Sequence, residues 1–151
     1  MPTPITPEQT RRLAVDLFNQ VWRMMERDDR TVDDDDRMLY AAHTSRWLWG
    51  EVGEPVNRAR GEWQVSRVYT VLGRPEPALY HARRCLEICS EHGIGDFDLA
   101  YAHEALARAH ALAGDRDRAL ASRRAAERAA DQIADADDRE LLDRDLGSLP
   151  A

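Results

Sequence analysis

The chain contains no lysine: all 21 of its basic residues are arginine, set against 28 acidic residues for a net charge of −7. A phosphate backbone is repelled by such a balance unless the bases are segregated on one face, so nucleic acid is excluded as the expected partner. Arginine alone leaves planar, permanently charged, bidentate donors for any carboxylate. Cysteine is scarce as well. The only two, Cys85 and Cys89, stand four residues apart in a helical pattern, where they form no disulfide framework and read as small core residues. No apolar run reaches the roughly 18 residues needed to cross a bilayer, so a membrane location is excluded from the expectation. The opening stretch, Met1 to Thr10, lacks the basic and apolar regions of an export signal, and a cytoplasmic protein is expected. Strand-like alternation is missing too.

Of the 151 residues, 43% are hydrophobic and 32% charged, enough for one folded domain spanning 1–151. Apolar positions recur every three or four residues, and Ala, Leu, Arg and Glu dominate, which predicts an all-α fold. Seven helices are predicted: Pro7 to Arg27, Asp33 to Val52, Val56 to Leu72, Pro75 to His92, Phe97 to Ala113, Arg116 to Ala134, and a short Asp137 to Leu146. Gly53, Gly73, Gly93 and Gly114 follow helix ends at steps of 20, 20 and 21 residues, where a left-handed residue satisfies orphan carbonyls. Pro55 and Pro75 follow two of those glycines, and Asp96 and Asp115 stand at N-cap positions. The first ten and last five residues are expected to fray.

Shifting the chain by 41 residues lays RVYTVLGRPEPALYHARRCLEIC over RAHALAGDRDRALASRRAAERAA, pairing Arg67 with Arg108, Gly73 with Gly114, Ala78 with Ala119 and Leu79 with Leu120. Val65, Ser66, Tyr69, Gly73 and Ala78 in one copy, and Leu106, Ala107, His110, Gly114 and Ala119 in the next, are the residues on which the chain resembles the tetratricopeptide repeat (TPR) family in its longer, about 42-residue form. Glu62 and His103 occupy positions where that family carries a large apolar residue. The strings RGEWQVSRVY and GIGDFDLAYAHEALARAH are also similar to small bacterial helical-repeat proteins. The resemblance implies a right-handed α-solenoid of three TPR-like helix pairs, about 7–52, 56–92 and 97–134, with the helix at 137–146 as a cap.

In such a family the first helix of each pair lines a groove. The resemblance places Arg60, Trp63, Arg67, Tyr101, Glu104 and Arg108 there, and implies a non-catalytic module binding a peptide or protein partner, with an acidic or C-terminal carboxylate segment as the ligand that arginine and aromatic residues suit. Two alternatives stand beside it. Arg67 and Arg108 can instead pair internally with Glu62 and Glu104. A small-ligand or catalytic pocket can instead form from His43, Trp47, Glu62, Tyr69, His81 and His103, since the helix at Asp33 to Val52 is rich in aromatics and reads as buried between layers. The repeat register further predicts that Glu62 and His103 share one polar network with Tyr69 or His81.

Metal chemistry finds little support. Glu-x-x-His pairs, the zinc protease motif, a Cys-x-x-Cys pair and a calcium loop are all missing from the sequence, so no metal or other cofactor is expected. The run DDRTVDDDD at 28–36 reads as a solvated loop and a helix start whose acids favour the helix dipole. Open ends of a short repeat stack also allow self-association into a homo-oligomer.

Overall fold

The computed structural model describes residues 4–150. Among them are seven α-helices and no strand: α1 (Pro7–Met25), α2 (Val32–Val52), α3 (Pro55–Val71), α4 (Pro75–Glu91), α5 (Asp96–Leu112), α6 (Arg116–Ala130) and α7 (Ala136–Gly147). None is long and apolar enough to cross a membrane. Local chemistry explains most of the boundaries. Thr6 and Thr31 close capping boxes with Gln9 and Asp34, and three aspartates fill the first turn of α2. Pro7, Pro55 and Pro75 stand in the first helical turn, where a missing N–H costs nothing. Gly73 (φ +73°) and Gly114 (φ +81°) end α3 and α5 in the same way, with the next residue donating back to the carbonyl five positions earlier: Arg74 to Tyr69 at 2.9 Å and Asp115 to His110 at 3.0 Å.

Four local expectations need correction. Gly53 is extended rather than left-handed (φ −96°), and a Cβ there would lie 2.7 Å from the Trp49 carbonyl, so close approach is what demands glycine. Asp96 is not the N-cap of α5; Gly95 is, while the Asp96 carboxylate accepts from the Phe97 and Ala134 amides. That second bond belongs to the third correction. α6 stops at Ala130 because the chain turns there, brings Ile133 into the core and lets Arg139 cap the Ala130 carbonyl at 3.1 Å. Finally, Pro7 to Thr10 are helical and Leu149 is buried, so those parts of the expected frayed ends are ordered; residues 1–3 and 151 lie outside the described residues.

Consecutive helices pack against each other, most extensively as the pairs α1·α2, α3·α4 and α5·α6. A second set of contacts joins α1 to α3, α3 to α5 and α5 to α7. These four helices therefore form one layer, with α2, α4 and α6 behind it. The middle of the molecule is the most buried: α5 turns Ala100, Ala102, Ala105, Ala107 and Ala109 inward, and small side chains allow its neighbours to approach closely. Buried polar side chains tie helices together by reaching backbone carbonyls: Ser45 to Ala14, Gln64 to Phe18 and Ser66 to Ala78, at 2.8 to 2.9 Å. Cys85 and Cys89 are free thiols in a cluster with Ala59, Ile88 and Ala102. The two thiols shift in opposite directions through their mutual contact: Cys85 is pushed well up, with burial adding to it, and Cys89 is lowered.

The aromatic helix α2 is not enclosed. Its inward stripe is Met38, Ala41, Ala42, Ser45 and Trp49, at spacings of three and four. Tyr40 and Trp47 lie seven residues apart on the other face, and Trp47 is 69% exposed. Trp47 therefore roofs no pocket. As an outer-layer helix, α2 has only one face to bury.

Candidate functional site

Two constellations use opposite sides of α3. On the side facing α2 and α4, four of the six residues of the sequence-predicted pocket, His43, Glu62, Tyr69 and His81, assemble into a polar network. Glu62 Oε1 accepts from Arg46 Nε at 3.1 Å and its Oε2 accepts from His81 Nδ1 at 2.6 Å. His43 Nε2 and the Tyr69 hydroxyl share a hydrogen bond of 2.9 Å, and the His81 ring stacks on that of Tyr69 at an interplanar angle of 14°. Gly61 makes this possible. A Cβ there would meet Arg46 Cδ at 2.8 Å, so only glycine lets the arginine cross the helix to reach Glu62. Burial raises the Glu62 carboxyl, but the bond from His81 and the Arg46 charge outweigh it and hold the group below its ordinary range. His43 is shifted down by burial and by the neighbouring His81.

His103 is not part of this network. It is half-buried on α5, shifted down by burial and by the charge of Arg128 on α6. Equivalent positions of successive pairs point each toward its own partner helix, so Glu62 meets α4 while His103 meets α6. The expected Glu62 and His103 pairing fails for that reason. Among the described residues, no three His, Cys, Asp or Glu side chains gather closely enough to hold a metal ion.

The other side of α3 faces a cleft of about 840 Å³ lined by α1, α3, α5 and α7, with Cys85 of α4 at its floor. Phe18 and Trp22, four residues apart on α1, form one wall. Trp63, Phe97 and Tyr101 continue the apolar surface, with Trp63 held between Trp22 (5.1 Å between ring centroids) and Tyr101 (5.3 Å). Trp63 also packs against three separate core clusters, which fixes its ring. On α7, Asp138, Leu141 and Asp145 recur at three and four residues and face the cleft as carboxylate, apolar group and carboxylate.

Of the six predicted groove residues, Arg60, Trp63, Arg67 and Tyr101 line this cleft. Glu104 and Arg108 do not. Glu104 is fully buried behind it, and its Oε1 accepts from Arg67 Nη1 at 3.3 Å and from Arg108 Nε at 2.7 Å. Arg108 reaches on to the Asp145 carbonyl and the Ser148 hydroxyl, both at 3.0 Å, and so fastens the end of α7. Arg60 makes a bidentate pair with Asp98 at 2.8 and 3.1 Å. Arg67 and Arg108 are thus paired internally, as the alternative had it, but both with Glu104; Glu62, the other expected acceptor, is taken by Arg46 and His81, and Arg60 pairs with Asp98. Tyr101 donates to Asp145 Oδ2 at 2.6 Å, and burial, followed by that carboxylate, raises its hydroxyl far above the ordinary phenol range.

Sequence reasoning missed Phe18, Trp22, Phe97, Asp98, Asp138, Leu141 and Asp145. A signal for two of them was present. The resemblance makes α1 a first helix like α3, so the Phe18 and Trp22 pair belonged to the same lining. The α7 residues had no such marker, since α7 lies beyond the repeat register. Compared with protein-family models, curated proteins and solved structures, the chain gives no significant match to any.

Proposed function

We propose that this protein is a non-catalytic interaction module, a right-handed TPR-like stack of three helix pairs whose first helices and α7 form the binding cleft for a peptide segment of a protein partner. The observation that carries this reading is the cleft itself: five aromatic side chains from three helices, four half-buried and Tyr101 buried, fixed by packing around its walls. Rigid aromatic surface in a concave site offers a large apolar contact area at small entropic cost, as in peptide-binding grooves and interface anchors. Both oxygens of Glu62 are already occupied, so the polar network across α3 is read as structural support.

Peptides selected from a random display library against the immobilised protein test the reading, with the four tryptophan indole N–H signals followed by nuclear magnetic resonance. Selected peptides are expected to shift the signals of Trp22 and Trp63 and leave that of exposed Trp47 in place, with binding weakened by Leu141→Asn. Shifts confined to Trp47, or peptides indifferent to Leu141→Asn, would overturn it. The cleft volume also falls within the few hundred to about 1,000 Å³ typical of small-molecule pockets. A small aromatic ligand is accordingly the second reading, and the same indole signals report it.

A further inference from the structure

Resting on the cleft as a peptide site, we infer that its ligand is an amphipathic segment with one apolar face and one basic face, bound through arginine or lysine side chains rather than carboxylates. Charge complementarity carries the argument. Two arginines line the cleft against four aspartates, Asp96, Asp98, Asp138 and Asp145. Arg60 is consumed by Asp98 in a two-bond pair, and Arg67 by Glu104. Each guanidinium that an incoming carboxylate would meet is therefore already balanced by a carboxylate of the chain, although both keep further N–H donors.

The carboxylates are distributed unevenly. Asp98 is occupied by Arg60 and Asp96 by two backbone amides, whereas Asp138 and Asp145 lie on the cleft face of α7; Asp145 Oδ2 accepts from the Tyr101 hydroxyl, and among the described residues no arginine side chain pairs with either carboxylate. The Asp138 carboxyl is pushed up by desolvation and by Asp135, Asp96 and Asp137 around it, against the opposing charge of Arg60, and an added cation relieves that excess of negative charge. Opposite this wall stand Phe18 and Trp22, with Trp63 and Tyr101 between. A segment seated in the cleft therefore meets aromatic faces on the α1 side and carboxylates on the α7 side. Guanidinium and ammonium groups suit both, because they pair with carboxylates and are attracted to the faces of Trp and Tyr rings.

Three twelve-residue peptides of one amphipathic pattern, with leucine on one face and arginine, glutamine or glutamate on the other, test the inference by titration with the indole signals as readout. The arginine peptide is expected to bind about ten-fold more tightly than the glutamine peptide and to weaken as salt is raised. Two variants sharpen it. Leu141→Arg, at an exposed position of the cleft, should weaken the arginine peptide several-fold. Arg60→Gln releases Asp98 and should tighten it, a gain that a misfolded protein cannot imitate. Equal binding of the arginine and glutamine peptides, tighter binding of the glutamate peptide, or weaker binding of the arginine peptide to Arg60→Gln would each overturn the basic ligand while leaving the cleft as a peptide site. No cleft shift with any of the three would overturn both.

Discussion

The two sides of α3 carry similar residue types and do opposite things with them. Toward α2 and α4, every polar group of Glu62 finds a partner, and the histidine and tyrosine rings around it close over one another. Toward α1, α5 and α7, the charged groups are also largely paired, but the aromatic surface is left open. A cluster of His, Glu and Tyr looks like chemistry in a sequence, yet once its hydrogen bonds are satisfied it is a fastening. Uncovered aromatic surface, held rigid from behind, is the stronger sign of a binding site.

The largest expected effect lies on the closed side. Glu62→Ala leaves Arg46 and His81 without their shared acceptor, and breaking a buried ion pair in this way destabilises by about 4 kcal/mol. Urea denaturation measures it. A loss below about 1 kcal/mol would mean that the network is not a fastening, and the contrast between the two sides would collapse. Leu142→Ala comes next. Leu142 is fully buried beneath α7, and its truncation should cost about 3 kcal/mol while loosening the carboxylate wall of the cleft, seen as a red shift in tryptophan emission.

Tyr101→Phe removes one bond, that to Asp145, and should cost about 1 kcal/mol with the fold intact. Because Arg108 still holds the backbone of the same turn, α7 should stay docked, and proteolysis at 147–150 should remain slow. The smallest effect is the dependence on pH. His43, His103 and His110 are all shifted down, chiefly by burial, so below about pH 6.5 the unfolded chain takes up protons that the folded one resists. Stability should fall as the pH drops below that value. Glu62, held below its ordinary 4.5, adds a further loss only in stronger acid, as its carboxylate protonates in the folded state. Thermal melts of His43→Gln should show a shallower slope than wild type between about pH 7 and 5; an identical slope would remove the closed side from the pH response.

How far the sequence reached differs from element to element. The glycine and proline punctuation located the ends of α3 and the start of α4 to within a residue, because caps are decided by a few adjacent residues. The 41-residue shift correctly matched Gly73 with Gly114, since both turns need φ > 0 and few residues but glycine tolerate it. It failed for Trp47, which periodicity alone could not assign to an inner or outer face on a helix with aromatics all round. Glu104 was misplaced for a related reason: whether a charged residue lines a groove or lies beneath it depends on how close two neighbouring helices stand. The end of α6 was missed because a long-range contact, Ile133 into the α5 and α7 core, overrode local helix preference.

The sequence by itself determined the helical class and the turns at the left-handed glycines Gly73 and Gly114. Those follow from short-range physics: hydrogen bonds at helix ends, backbone sterics and the 3.6-residue period. The residues placed in a groove came instead from the family resemblance, and four of those six line the cleft. The tertiary structure decided what the predicted arginines meet: Arg60 pairs with Asp98, and Arg67 and Arg108 share Glu104. Asp98 and Glu104 reach Arg60 and Arg67 from another helix, and only packing brings them together. A side chain's charge is written in its own residue, but the charge a ligand meets is the sum over neighbours that the fold assembles.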